Sequence, residues 1–575
     1  MINHIIKVIP TEKRGEGIRI VTLLTLSSLV DVFSLAAFYP LILMVINRSH
    51  IGQAGLLSKL YNAADIPDWK TFAILLTVII TLIILVKAVL STWVTKKKAK
   101  YAYTVANIIA INEYQSFLAR GYTRFTGIDV SKELNRLTNI PLNFATSMLI
   151  PAGTILSESV IFVFLTACLV LVDVKLVLLL ALVMAPVSLV LVFQKSSLKK
   201  VKDALKESMP NLTKSVLQGL EAFVEIKTLQ KEAAFKGKMN SAFRKMVDIF
   251  SSDHTRHVSI SRITETVAGV LVGIIILYAL LFYSSPGESL LLLSVYAGVI
   301  FRCLPSINKV ISAYHQMKTY EFILPELSSM TSSDIPVTTQ KQIATFHTTF
   351  HLKNVTFSYP SQNRPILDSL SVCIQKGSTI LLSGKSGEGK TTLLLVLLGL
   401  LKPDEGEILL DDNALNIETS RPSVAYVPQN PYLLDASIEE NIAFEFYPGQ
   451  IDKYRIDVLL KMLDLKIWVD SLPLGSKTVI GERGIKISGG QRQRLVIARA
   501  LYHQADVFLF DEVTNQLDPE TEAEVIKAIQ QLSREHNKTI IFISHSRSTK
   551  MSFDREYQLR EGSLVQLEPN MAEAN

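Results

Sequence analysis

Apolar positions up to about residue 310 fall in long, nearly unbroken blocks, whereas the rest of the chain mixes short apolar, charged and glycine-rich stretches. Six blocks, near 18–46, 71–94, 146–172, 175–194, 259–283 and 288–311, are long enough to cross about 30 Å of hydrocarbon, which takes roughly 20 helical residues. An even number of spans returns the chain to its starting side. Lys13, Arg14, Arg19, the run Lys96, Lys97, Lys98 and Lys100, and the run Lys195, Lys199, Lys200 and Lys202 flank these blocks, which assigns that side to the cytosol. The connections after the second and fourth spans are long, charged and helically periodic, so they face the cytosol; those after the third and fifth are short. Between Asn47 and Lys70, "GLLSKLYNAADI" has apolar residues at helical spacing; it reads either as a helix lying along the outer interface or as a polar loop.

Composition sharpens this division. A hydrophobic share of 49% over 575 residues is high for a soluble protein, and the length calls for more than one domain. The expected fold is a six-helix, all-α transmembrane domain over 1–325, a linker over 326–345 and a cytosolic α/β domain with a helical subdomain over 346–575. The net charge of +7 sits at the ends of apolar blocks, so it is explained by membrane orientation rather than by nucleic acid. Cys168, Cys303 and Cys373 are scattered among unlike segments, which excludes a disulfide framework. The first apolar block is too long for a cleavable leader and is expected to remain as a span.

The soluble half carries the chemistry. In "ILLSGKSGEGKTTLLLVLLGLL" a strand-like run enters a glycine-rich turn and leaves as a helix. Gly384, Lys385, Ser386, Gly387, Glu388, Gly389, Lys390 and Thr391 match G-x-x-x-x-G-K-[ST], with Thr392 following. Such a turn closes backbone N–H groups on phosphates, with Lys390 neutralising the outer phosphates and Thr391 ligating magnesium. Further on, "ADVFLFDEVTNQLD" ends a buried strand on Asp511, suited to the magnesium shell, and Glu512, suited to polarising water. Between them, Ser488, Gly489, Gly490 and Gln491 open the amphipathic helix of "ISGGQRQRLVIARAL" and form a second phosphate-binding helix end.

With this motif series the chain resembles the ATP-binding cassette (ABC) transporter family over nearly its whole length. The resemblance implies that Tyr359 in "VTFSYP" stacks on adenine, that Gln429 in "AYVPQN" reaches magnesium and the attacking water, and that His545 in "IFISHS" contacts the terminal phosphate. Catalysis is then expected of Glu512, His545 and Lys390, and magnesium binding of Thr391, Gln429 and Asp511. It also implies that the helix end at Ser488 completes the ATP site of a second subunit. One membrane half and one cassette make a half-transporter, and since both halves of the ATP site are present, a homodimer is expected. Ile487 stands where the family usually has leucine, and "NQLD" at 515–518 where "SALD" is typical. "GERG" at 481–484, "FTGIDVSKELNRLTN" and "GLEAFVEIKTLQKE" resemble the exporter regions through which membrane loops engage the cassettes.

Three cations fall inside apolar blocks: Lys87, Arg262 and Arg302. At about 1.5 Å of rise per residue, Lys87 lies roughly 13 Å beyond the Lys96 run. Buried charges of this kind face a cavity or a partner. Ser294, Gly298, Arg302, Ser306 and Lys309 share one helical stripe. A doubled set of cations would favour a phosphate. The alternatives are structural: Lys87 snorkelling to the interface, Glu265 pairing with Arg262, and Asp31 and Glu158 neutralising the others. Within the exporters, "SSLVDVFSLAAFYP", "VKAVLSTW" and "FRCLPSINKVISAYH" resemble the bacterial flippase of lipid-linked oligosaccharides. That resemblance implies an anionic polyprenyl-linked glycan as substrate and a place in the inner (plasma) membrane, with the cassette in the cytoplasm. The competing reading is an exporter of peptides or hydrophobic small molecules. DNA-repair and chromosome-structuring ATPases share the split cassette but lack membrane spans.

Overall fold

The computed structural model describes residues 2–37, 41, 61, 68–125, 127–172, 174–175, 177–178, 195–282, 286–332, 341–360, 364–481, 484, 486–513, 519–544 and 552–567. Two compact units emerge: one formed by 1–119 with 128–337, the other by 120–127 with 338–575.

The first unit is helical among its described residues. Its long helices include α1 (Thr11–Ala36), α2 (Trp69–Ala119), α3 (Ile150–Val172), α4 (Glu232–Phe282) and α5 (Pro286–Thr319), with a further one at Lys195–Glu221. Four helical stretches, Thr11–Ser34, Lys70–Ala119, Asn139–Ala167 and Ser261–Phe282, are long and apolar enough to cross a membrane. They correspond to the first, second, third and fifth expected spans. The fourth expected span lies mostly outside the described residues, and the sixth falls within α5. Ile74, Val78, Leu82, Leu85, Val86 and Val89 are exposed along α2, a large apolar surface that suits lipid rather than water. At 51 residues, α2 is about 75 Å long, so the expected cytosolic loop begins as a continuation of the span.

The helix leading into α3 widens into a π turn at Ala145–Leu149, where the Ile150 N–H bonds to the Ala145 carbonyl. Pro151 explains the widening, because it brings no N–H to continue the α-helical ladder. The stretch expected as a linker from residue 326 starts as helix: Ile323–Ser332 is regular, with Leu324, Leu327 and Met330 buried against Ile5, Val8 and Ile109. Three apolar residues at helical spacing outweigh the polar serines between them. Residues 333–340 lie outside the described set.

The second unit is α/β. Its main sheet runs β12-β11-β4-β10-β9-β8, comprising β4 (Thr379–Ser383), β8 (Val424–Val427), β9 (Val507–Asp511), β10 (Thr539–Ser544), β11 (Arg555–Arg560) and β12 (Ser563–Leu567). All pairs are parallel except the edge pair β11 and β12. "TILLS", "VFLFD" and "TIIFIS" are apolar almost throughout because both faces of a parallel sheet are covered. An antiparallel sheet runs β3-β2-β5-β6, comprising β2 (Thr349–Phe357), β3 (Leu367–Gln375), β5 (Glu405–Leu410) and β6 (Asn413–Ala414), and the short β1 (Gln342–Ala344) pairs in parallel with β7 (Ser420–Pro422). Its Phe350, Leu352 and Ile408 share a core with Leu393, Val396 and Leu509. A second core gathers the helices Ile438–Ala443 and Lys453–Met462 around the helix α7 (Gly489–Tyr502), where Leu495, Val496 and Ile497 are buried; the helix α6 (Lys390–Leu397) follows β4.

The turn after β5 is held by Asp411, whose carboxylate accepts from the backbone N–H groups of His347 (2.6 Å), Thr348 (2.7 Å) and Thr349 (3.0 Å) and from the Thr348 hydroxyl (2.7 Å). The Thr348 hydroxyl first, with the backbone donors, holds this carboxyl well below the usual carboxylate range. A depressed folded-state pKa gives stability that is complete above the unfolded value near ~4 and is lost only below it. Asp411→Asn should therefore lower the thermal unfolding midpoint of the full-length protein by the same amount at pH 7 and pH 5. A gap that closes between those two pH values would contradict the assignment.

Candidate functional site: a phosphate loop, two carboxylates and an intramembrane ion network

The glycine-rich loop leaves the end of β4 and enters α6 at Lys390. Gly389 caps that helix with φ 100°, and an added Cβ would come within 2.6 Å of Ile366 Cγ2; only glycine fits this turn. The Lys390 ammonium folds back on its own loop, donating to the carbonyls of Gly384 and of Lys385 (3.1 Å). Burial pulls its pKa below the ordinary value, against the opposing charges of Glu512, Glu388 and Asp511. Lys390 thus lies within the electrostatic reach of both carboxylates singled out in the sequence.

Glu512 is buried and adopts a left-handed backbone, φ 52°, with its N–H donating to the Ile543 carbonyl at 3.1 Å. Such a conformation is costly for a non-glycine residue and concentrates at functional sites. Gln429, two residues past β8, donates through Nε2 to Glu512 Oε2 at 2.6 Å. Asp511 ends β9 and accepts from the Tyr426 hydroxyl at 3.0 Å. Burial, then the Asp511 charge, pushes the Tyr426 phenol well above the usual tyrosine range, so it stays a donor at any working pH. Tyr359 meets Phe357 edge-on, ring centroids 5.1 Å apart. Tyr122, from the 120–127 segment, packs on the same apolar cluster as Tyr359 and Tyr426.

Ser488 caps α7 with a reciprocal pair: its hydroxyl accepts from the Gln491 N–H (3.2 Å), and the Gln491 side chain accepts from the Ser488 N–H (3.0 Å). Capping fixes where the helix begins and leaves its N-terminal N–H groups pointing outward. Deeper in that helix, Arg499 donates to the carbonyls of Asn441 and Tyr432, both at 2.8 Å, and burial pulls its pKa down to about 10. His545, the "NQLD" residues 515–518, and Glu482 and Arg483 of "GERG" lie outside the described residues, as does nearly all of the outer segment 47–70.

In the membrane unit, two of the three intramembrane cations meet. Lys87 Nζ is 3.2 Å from Asp31 Oδ1, and the Arg302 guanidinium is 3.6 Å from Asp31 Oδ2 and 3.5 Å from Glu158 Oε2. Ser306 bridges the same pair, accepting from Arg302 at 2.6 Å and donating to Glu158 at 2.7 Å. Lys309 Nζ reaches Glu158 Oε1 at 2.9 Å. The network ties α1, α2, α3 and α5 together. Close by on α3, Gly153 lets the Lys98 stem pass, and Lys98 Nζ donates to the Thr154 hydroxyl at 3.0 Å. Arg262, on α4, is exposed and outside this network. Lys309 and Ser306 stood on the sequence stripe without an assigned role; Tyr426 was missed, since nothing in "VAYV" marks which strand its ring will face.

Residues 367–515 match the ABC transporter family. Over 468 residues the chain is 27% identical to the ABC transporter B family member 29, chloroplastic, of Arabidopsis thaliana, covering 80% of this chain and 73% of that protein. An ATP-dependent lipid A-core flippase of Ralstonia nicotianae is 38% identical over 218 residues, 37% of this chain and 36% of the flippase. The flippase of Photobacterium profundum is 27% identical over 379 residues, 64% of this chain and 63% of its own length. The flippase matches thus span from about a third to just under two thirds of those relatives. A bacterial Atm1-family ABC exporter solved with ATP bound superposes with a TM-score of 0.75 at 19% identity, covering 96% of this chain and 94% of that one. Residues 367–515 thus form an ABC transporter cassette. The chain has the exporter fold, a membrane-spanning helical half followed by an ATP-hydrolysing cassette, in the half-transporter arrangement.

One feature of the loop stands apart: the Glu388 carboxylate accepts from the Lys385 N–H at 2.7 Å, placing a negative charge inside an anion-binding turn. Two unit charges about 4 Å apart in water interact by about 1 kcal/mol, or ~fivefold in affinity. Glu388→Gln is expected to tighten ATP binding by about that factor, read by titration with a fluorescent ATP analogue; weaker binding would show that Glu388 organises the loop instead.

Proposed function

We propose that two identical copies of this chain use ATP to move an anionic lipid across the inner membrane, with a phosphate-linked polyprenyl glycan as the substrate class. The observation that carries the reading is the charge count of the intramembrane network, in which, among the described residues, Lys87, Arg302 and Lys309 face two carboxylates, Asp31 and Glu158. Excess positive charge on a part-buried face attracts a compact anion, and arginine can grip a phosphate through two parallel hydrogen bonds. The names of the flippase relatives support a lipid cargo. Arg262 lies apart from this network and would meet a substrate at a separate point of the path.

In the cassette, Lys390 and the loop N–H groups hold the phosphates, Tyr359 offers a ring to the base, and Glu512 orients the attacking water with His545 at the terminal phosphate. The hydroxyl of Thr391, the amide oxygen of Gln429 and the carboxylate of Asp511 form an all-oxygen set of the kind magnesium prefers. Because Gln429 gives its amide nitrogen to Glu512, its oxygen is the end that can serve a cation. Magnesium there would draw charge from the departing phosphate. The capped end of α7 supplies the second set of N–H groups, which supports pairing with another copy. So does the short helix Phe223–Thr228, where Phe223 and Val224 stand exposed beside Leu220 and Leu229.

The competing reading, export of peptides or hydrophobic small molecules, is favoured by one observation: Lys87 and Arg302 are already engaged by carboxylates, so they can serve structure alone. Purified protein in liposomes separates the two. Polyprenyl-pyrophosphate glycans should stimulate ATP hydrolysis, and neutralising Lys87 and Arg302 together should abolish that stimulation. Stimulation by lipophilic drugs or peptides alone would overturn the lipid reading. Glu512→Gln is expected to retain bound ATP while steady-state hydrolysis falls by at least about 100-fold; undiminished turnover in that variant would remove Glu512 from its role.

A further inference from the structure

The buried edge of the ATP site contains a hydroxyl that none of the sequence motifs accounts for. Tyr426 sits on β8 beside β9, paired across the ladder with Leu509, two positions before the Asp511 carboxylate that it reaches at 3.0 Å. Its ring is packed against the cluster that also holds Tyr122, Tyr359 and Val424. A phenylalanine would fill that space equally well; what tyrosine adds is a donor. A half-buried hydroxyl needs a partner, and the partner here is one oxygen of a carboxylate at a strand end.

We propose that Tyr426 is a positioning residue for ATP hydrolysis: its hydroxyl fixes Oδ2 of Asp511 and so presents the other carboxylate oxygen to a divalent cation. A carboxylate on a strand end can swing about its last torsion. The bond to one oxygen narrows that torsion before the cation arrives, and partners of this kind typically change metal affinity by 10–100-fold. The β8 strand is short and paired along its length with β9, and the half-buried Tyr426 ring packs against the apolar cluster, so the anchor is held in place. This inference rests on the reading of Asp511 as a cation ligand.

The test measures Mn2+ binding to the full-length protein by electron paramagnetic resonance, in the presence of a non-hydrolysable ATP analogue. Tyr426→Phe should weaken Mn2+ binding by about tenfold while leaving metal-free nucleotide binding and the thermal unfolding midpoint unchanged. Tyr426→His, which keeps a donor but packs poorly, should bind Mn2+ better than Tyr426→Phe. The reverse order, or wild-type Mn2+ affinity in Tyr426→Phe, would mean that the ring matters only for packing. An Asp511→Asn arm distinguishes the two levels. It should lose Mn2+ binding; if it does not, the cation reading of Asp511 fails and the role of Tyr426 falls with it.

Discussion

Parallel pairing of β4, β10, β9 and β8 is the constraint from which the ATP site follows. The register sets Ser383 opposite Ser544, Ile543 opposite Asp511, and Val427 opposite Phe510. Every chain segment that carries chemistry therefore leaves the sheet at the same edge: the glycine loop, the two carboxylates and the strand leading to Gln429. Strands so paired must be covered on both faces, which is why their sequences are apolar until the last residue and polar immediately after it. Chemistry at the strand ends and burial along the strands are two results of one arrangement.

This is also why the cassette was readable from the sequence and the membrane half less so. "TILLSGKSGEGKTT" and "VFLFDE" each hold strand, turn and functional residue within one short window, so local pattern fixes their geometry. The resemblance implied that Gln429 serves magnesium and the attacking water, but its bond to Glu512, like that of Tyr426 to Asp511, required knowing which strand lies next to β9. In the membrane unit five of the six expected spans fall on described helices. The pattern left open whether Lys87 and Arg302 were free or paired, because pairing depends on which helices adjoin. Asp31 and Glu158 are 127 residues apart in sequence, and no periodicity relates them. Helix continuing past residue 326 was hidden for another reason: serines at 328, 329 and 332 look like a linker until Leu324, Leu327 and Met330 find a partner surface.

The two halves handle charge by opposite means. In the cassette, Lys390 is kept partly desolvated among loop carbonyls and nearby carboxylates, at the threshold of a helix whose N–H groups add to its pull on phosphate. In the membrane unit, the cations carry their own counter-ions. A buried pair costs desolvation that its attraction only partly offsets, but a network with Ser306 between Arg302 and Glu158 satisfies several polar atoms at once. An anion arriving there would compete with carboxylates rather than fill an empty socket, which would make its hold on the site an exchange and ease its release.

The length of α2 has a mechanical consequence. A rod of about 75 Å that ends directly before the 120–127 segment is a lever arm: pivoting it by about five degrees sweeps its tip through roughly 6 Å, on the order of one helical turn. A small rotation of this helix would thereby be magnified into a displacement at its tip large enough to trade one set of contacts for another.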